Sequence, residues 1–434
     1  MTLSINKLTT TLLLYLLPAA LYSQHFSTYT PDPSTLNKKV MFGYQGWQAT
    51  PADGSGAGVW RHWFGRSTPD SAHAGFDLWP DMREYPAAAL EATNMLYPDG
   101  SKAKLYSAYK YETVDVHFKW MKEQNLDGVF EQRFISDISG TDGRKHFNQV
   151  VRNVKQASEK YKRVYCIMYD ISGAGPDWKE KLVADWKFLV DSLGVTKGSS
   201  YLHHKGRPLV TIWGMGFAHT AFATAEQSAA LLDWFHSGAE KKYQATVMGG
   251  VNDNWLSHQE DWKAVYNKMD VISPWAVGRY GDDAGADKFK AKAIVPDKAY
   301  CDQKTIDYMP VIFPGVSWNN MHHGKTPFNQ IKRRGGDFYW RQSYNAVSAG
   351  VNMVYIGMYD EVDEGTAMYK VAPSKAGKPV HANFISLDID GYDLPADWYL
   401  RLANATAEIL RGKAPNTADI PAALLRTRKM LKSN

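Results

Sequence analysis

The sequence is short of cysteine, of long apolar runs and of banked charge, and each shortage removes a class of protein. Two cysteines, Cys166 and Cys301, in 434 residues cannot build a disulfide scaffold. Cys166 falls inside the apolar run RVYCIMYD, where a small buried hydrophobe is a simpler reading than a bridge or a nucleophile. The formal charge is +5 and the basic residues are dispersed, which argues against a nucleic-acid partner. No tandem repeat and no low-complexity linker divides the chain. The stretch FGYQGWQ lacks the G-x-G-x-x-G spacing of a dinucleotide fold. No G-x-S-x-G elbow offers a serine nucleophile. The adjacent pairs His203-His204 and His322-His323 have no H-E-x-x-H context, and neighbours on a strand point to opposite faces, so no metal or other cofactor is expected.

One apolar stretch does stand out, in MTLSINKLTTTLLLYLLPAALYSQ. A lone Lys7, a Leu-rich centre and small residues before Gln24 form the pattern of a secretory signal, and the apolar part is shorter than a bilayer span. The reading is a signal peptide over residues 1–23 and one mature domain over 24–434, secreted or periplasmic, monomeric, and free of the membrane once the signal is removed.

Aromatic residues are abundant, with 15 Trp and 25 Tyr. Flat rings with a polar edge suit sugar pockets, since the C–H faces of a pyranose pack on a ring while its hydroxyls need polar partners. Eight apolar runs read as strands, over residues 39–47, 128–134, 163–170, 207–214, 245–253, 270–278, 309–318 and 352–360. Helical spacing lies between them: Val114, Phe118 and Met121; Phe147, Val150, Val151 and Val154; Leu182, Trp186, Leu189 and Leu193. Near-continuous apolar strands, each followed by a crossover helix, predict a (β/α)8 TIM barrel with long loops inserted at its C-terminal face. Residues 49–58, 280–287 and 371–383 read as such loops, and 104–109 as an extra strand in the loop after the first barrel strand.

A barrel collects its functional residues where the strands end. The candidate substrate-binding residues there are Tyr44 and Trp47 after the first strand, Tyr169 and Asp170 after the third, and Trp213 after the fourth. Asn252, Trp275, Arg279, Trp318 and Tyr359 continue the series, and Trp60 and Trp63, with His62 between them, form a possible subsite wall or lid in GVWRHWFG. Glu131 and Arg133 stand two apart on one strand face and read as an ion pair at the rim. The last strand delivers four acids, Asp360, Glu361, Asp363 and Glu364, within five residues. Glycosidic cleavage typically uses two carboxyl groups, one protonated and one ionised. A turn that brought Glu361 and Glu364 to one cavity would raise one of their pKa values by repulsion. The plainer alternative is an acidic helix N-terminus, and Asp360 and Asp363 suit backbone hydrogen bonds on a turn.

The stretch Tyr359 to Thr366, YDEVDEGT, resembles the W-N-E-W-x-E-G-T pattern that ends the last barrel strand in glycoside hydrolase family 99, the endo-α-mannosidases. Family 71, the α-1,3-glucanases, has a similar W-N-D-Y-G-E-S. The resemblance extends to a Tyr- and Trp-rich first strand and to Pro314-Gly315 after the seventh, and bacterial secreted proteins grouped as family 71/99-like fit best. It implies a glycosidase acting on an α-linked oligosaccharide or polysaccharide, with Glu364 as general acid/base. Glu361 would deprotonate the sugar's own 2-hydroxyl so that an anhydrosugar forms. Tyr359 and Val362 stand where the family has tryptophan, and Asp360 where it has asparagine. Two alternatives stay open: a glycan-binding barrel without catalysis, and an inverting α-glucanase of the family 71 type.

Overall fold

The computed structural model describes residues 29–431, so the expected signal peptide lies outside the described residues. Among those residues eight parallel strands close a barrel: β1 (Val40–Tyr44), β2 (Gly128–Phe134), β3 (Val164–Asp170), β4 (Arg207–Trp213), β5 (Thr246–Val251), β6 (Val271–Pro274), β7 (residues 307–312) and β8 (Val354–Ile356). β1 pairs with β2 on one side, Met41 opposite Gly128, and with β8 on the other, Val40 opposite Val354. Closure falls to β7, which is split around Pro310. Its first half, Asp307–Tyr308, pairs with β6, and its second, Val311–Ile312, with β8. Met309 still donates to the Ile272 carbonyl and the Pro310 carbonyl still accepts from Tyr355, so the proline, which has no N–H, interrupts the ladder without opening the barrel.

All eight expected strands are present, with two shortened markedly and one displaced. The seventh lies at 307–312 and not at 309–318, because Pro310 and Pro314 remove donors and the chain beyond Ile312 leaves the sheet, Val316 turning to pair antiparallel with Ile331. The sixth ends at Pro274 and the eighth at Ile356. Helices follow the strands, the first three where the spacing predicts them: α1 (Tyr111–Glu123), α2 (Thr141–Tyr161), α3 (Trp178–Phe188), α4 (Ala225–Asp233), α5 (Glu260–Tyr266), α6 (Val295–Lys304), α7 (Asp337–Ser348) and α8 (Trp398–Leu410). The extra strand of the first loop is Lys102–Tyr106, paired antiparallel with Leu90–Leu96.

Strand parity decides what reaches the barrel interior. Phe130, Met168 and Tyr355 point inward, where the Tyr355 ring meets Phe130 edge-on at 5.2 Å and its hydroxyl lies 3.6 Å from the Met168 sulfur. Gly43 makes room for them, since a Cβ there would come within 2.4 Å of the Tyr355 hydroxyl and 2.1 Å of Met358. The opposite parity packs under the helices. Tyr44 donates or accepts at His117 Nδ1 of α1 (2.9 Å), and Tyr85 holds its Nε2 (2.6 Å). Burial pushes that imidazole down to about 3, so it stays neutral. At the opposite end of the barrel, Asp127 accepts the Val40 N–H (2.9 Å), the Tyr29 hydroxyl and Arg411 (2.9 Å).

Glu131 and Arg133 share the outer face, but they do not form the expected ion pair. Arg133, fully buried, forks onto Asp185 of α3 (2.6 and 2.9 Å) and reaches Asn148 of α2. Glu131 is left fully buried with neither carboxyl oxygen hydrogen-bonded among the described residues. Burial, aided by the charges of Asp185 and Asp360 and opposed by Arg133, raises its pKa well above the ordinary 4.5, so the folded state holds it neutral. The unfolded chain ionises near 4.5, so the stability due to this neutral carboxyl is full below that pH and is lost as pH rises, by up to about 1.4 kcal/mol per unit. Glu131→Gln should therefore melt above the wild type at about pH 8 and lose that advantage at about pH 4. Calorimetry across the range would show a pH-independent difference if Glu131 were ionised in the fold.

Candidate active site

The chain leaves β8 at Ile356 and makes a narrow excursion whose tip is Val362–Gly365. Its sides are tied by the Tyr359 carbonyl, which accepts from Met368 and Tyr369, and by the Glu361 carbonyl, which accepts from Ala367 at 2.8 Å. Gly365 closes the tip with φ 66°, a left-handed conformation open to glycine. A side chain there would also meet the Ser317 backbone nitrogen at 2.9 Å. Two buried charged groups fix the excursion from outside. Arg333 donates to the carbonyls of Gly365 (2.8 Å) and Ala367 (2.7 Å) and stacks on Tyr399. Asp77 accepts the Ser317 hydroxyl and the N–H groups of Asn319 (2.9 Å) and Asn320 (2.7 Å). The strand it anchors passes the Ser317 N–H to the Glu364 carbonyl at 2.8 Å.

The four acids meet four different environments. Asp360 is fully buried and accepts the backbone N–H groups of Gln45 (2.8 Å) and Gly46 (2.9 Å), while burial lifts it to about 7. Glu361 receives Gln45 Nε2 (3.3 Å) and the Thr366 hydroxyl (3.1 Å). Burial, with the charges of Glu364 and Asp363 adding, holds it well above its ordinary range. Asp363 accepts from His62 Nδ1 at 2.8 Å. Glu364 is pushed up to about 7 by burial and by Asp363, with the nearby Trp318 indole opposing. Among the described residues the indole nitrogen has no geometrically formed hydrogen bond. The charge of Glu364 thus acts on Glu361, three residues away on the same turn.

Around them the structure gathers part of the expected set. Trp47, Asp170, Trp213, Trp275 and Trp318 belong to this end of the barrel. Trp213 meets Trp275 edge-on at 5.8 Å, and Trp275 reaches Tyr355 at 6.1 Å. Asp170 accepts the Ser172 N–H (2.8 Å) and is lifted by burial to about 6. Asn252 is half-buried, and Arg279 is exposed with its Nε 3.2 Å from Asp253. Several polar atoms here have no hydrogen-bond partner among the described residues: Gln45 Oε1, Gln132 Oε1 and the indole nitrogens of Trp47, Trp213 and Trp318.

Five expectations are corrected. Tyr44 and Tyr169 have outward parity, Tyr44 bonding His117 and Tyr169 bonding Asp185 (2.9 Å). Tyr359 is buried with its hydroxyl on the His117 carbonyl (2.9 Å). Trp60 and Trp63 form the inner packing of their loop, Trp60 edge-on to Phe64 and Trp63 donating to the Tyr106 carbonyl (3.0 Å). Conversely, Asp77, Arg333 and Ser317 carry no sequence signal, because their partners lie far along the chain. Of the histidine pairs, His204 is buried on Asp307 (2.9 Å) and His322 and His323 are exposed. Among the described residues no group of three or more His, Cys, Asp or Glu side chains is placed to hold a metal.

Fold and site together define a (β/α)8 barrel with a crowded carboxyl turn at the end of its last strand. No protein-family model matches the chain, and no curated sequence is significantly similar to it. In three dimensions it shares its fold with the GH99 endo-alpha-mannosidase from Bacteroides thetaiotaomicron, at 15% identity and a TM-score of 0.62, over 87% of this chain and 99% of that one. A second structure of that enzyme, in complex with bis-tris-propane, aligns at 15% identity with a TM-score of 0.60, over 87% and 98%.

Replacing Arg333 by Met leaves the Gly365 and Ala367 carbonyls without these donors. The loss of two charge-assisted hydrogen bonds should cost about 2–4 kcal/mol. Hydrogen exchange should show the Ser317 and Ala367 amides losing protection before those of β2, and equal loss everywhere would deny Arg333 this local role.

Proposed function

We propose that the protein is a secreted glycoside hydrolase that cleaves an α-linked glycan, mannan-like or related, with Glu364 as general acid/base and Glu361 as its partner. The observation that carries this reading is the pair of crowded, pKa-raised glutamates on one turn at the mouth of the barrel, beside indole and amide groups that have no hydrogen-bond partner among the described residues. Sugar hydroxyls supply what those groups lack. The shared fold with an endo-alpha-mannosidase supports the α-mannosidic side of the reading, as does the YDEVDEGT motif. Tyr359 and Val362, which replace the family's tryptophans, are both fully buried, so these departures lie in packing rather than in the mouth.

The division of labour is the one the YDEVDEGT resemblance implies. Burial and like charge raise both glutamates, Glu361 well above its ordinary range and Glu364 to about 7, so the pair holds a proton near neutral pH. The reaction needs that proton on Glu364, and the hydrogen bonds Glu361 accepts from Gln45 and Thr366 favour its ionised form. In the first step Glu364 protonates the departing glycosidic oxygen as the C1–O bond breaks, while Glu361 takes the proton of the 2-hydroxyl, whose oxygen closes onto C1. In the second, Glu364 takes a proton from the water that reopens the anhydrosugar, and Glu361 returns its own.

Product release from a panel of α-mannans, α-glucans and α-xylosyl or arabinosyl glycans tests the reading, with the Glu361→Gln, Glu364→Gln double variant as blank. One class should be cleaved by the wild type alone, and Glu364→Gln should lose about 10²–10⁴-fold with its melting temperature retained. Binding without cleavage across the panel would instead describe a glycan-binding barrel. The acid form of Glu364 is lost as pH rises through about 7, so the rate should fall on the alkaline side of that value. A profile flat to about pH 9 would take the acid role from Glu364.

A further inference from the structure

We propose that His62 is a substrate-binding residue of the subsite beside the glutamate pair, accepting a sugar hydroxyl on Nε2 while Asp363 and Trp47 hold the imidazole in place. This rests on the glycan reading above and assigns a residue that the reading does not need.

Three features of the loop GVWRHWFG converge on it. Its two tryptophans turn inward, Trp60 6% and Trp63 1% exposed, while the His62 side chain between them keeps 30% of its surface open. His62 holds φ 55°, a left-handed conformation uncommon for a residue with a Cβ, and one that persists where surrounding contacts over-determine it. Those contacts are present: Nδ1 lies 2.8 Å from Asp363 Oδ2, and the ring stacks on Trp47 with centroids 3.8 Å apart and planes 5° from parallel. The imidazole is fixed in position, in plane and in rotation.

What the fixation leaves over is one nitrogen. A carboxylate on Nδ1 selects the tautomer with the proton there, so Nε2 presents a lone pair. Among the described residues Nε2 has no hydrogen-bond partner. His117, a structural histidine of the same molecule, has both ring nitrogens engaged, on Tyr44 and Tyr85. With one ring face covered by Trp47, the edge at Nε2 is where a hydroxyl donor is received. Asp363 stands between Glu361 and Glu364 on the turn, so its bond holds His62 against the same turn that carries the glutamate pair.

The test pairs a tautomer measurement with kinetics. Long-range ¹H–¹⁵N correlation spectra of histidine-labelled protein, assigned with His62→Gln, should show His62 protonated at Nδ1, and Asp363→Asn should abolish that preference. An α-mannan oligosaccharide, with an α-glucan oligosaccharide as the second arm, should move the Nε2 resonance. His62→Gln should raise KM about tenfold more than it lowers kcat, the loss expected for one buried hydrogen bond, with the melting temperature held. A His62 protonated at Nε2 in the free protein, or a wild type that binds glycan without moving the Nε2 signal, overturns the assignment and leaves the glycosidase reading standing. A wild type that binds neither oligosaccharide, nor any member of the panel, overturns both.

Discussion

Four carboxyl groups within five residues have to be taken out of water at the end of β8, and the architecture of the mouth follows from how that cost is met. A buried charge without compensation costs several kcal/mol. Each acid meets a separate environment: backbone N–H groups for Asp360, an imidazole for Asp363, an amide and a hydroxyl for Glu361, and the neighbourhood of the Trp318 indole for Glu364. The donors for the first three come largely from the loop after β1, namely Gln45, Gly46 and His62. That is possible because closure of the barrel sets β1 beside β8, so the loops that follow these two strands emerge side by side. The β1–β8 pairing and the burial of the carboxyls are thus one requirement: parting those two strands would strand the acids.

The loop and the turn support each other in return. Asp77 and Leu78 donate their N–H groups to the Val362 carbonyl, and the Asp77 side chain organises the strand that carries Trp318. An insertion of more than sixty residues between β1 and α1 is therefore no appendage to the barrel. It supplies the second wall of the mouth and most of the polarity that keeps the carboxyl turn folded.

Much of this frame was legible in the sequence, and the reason is periodicity. Parallel strands buried on both faces give unbroken apolar runs, and crossover helices give i, i+3, i+4 spacing, so eight strands and the first three helices could be placed. The YDEVDEGT stretch was legible because a local turn keeps its residues together. Strand ends were less so. Tyr44 and Tyr169 stand as close to the C-terminal rim as Trp47 and Asp170, but side chains one residue apart face opposite sides, and aromatic residues suit either. Asp77, Ser317 and Arg333 were illegible altogether. Their roles arise from contacts across tens to hundreds of residues, and nothing in GFDLW or KRRGGD marks them.

The departures from the family pattern acquire a physical account at this level. An aspartate in place of asparagine at 360 still accepts two backbone N–H groups, and at about 7 it does so with little charge to accommodate. Val362 meets the core and leaves its carbonyl to the β1 loop. Asp363 brings a further acid to a turn already dense with them, and its partner, His62, holds a left-handed backbone conformation although it carries a Cβ. Such a conformation is retained against its cost only where the contact it secures is worth more. Here the contact gives Asp363 a partner while its charge still helps to raise Glu364, and it leaves the imidazole Nε2 without a hydrogen-bond partner among the described residues.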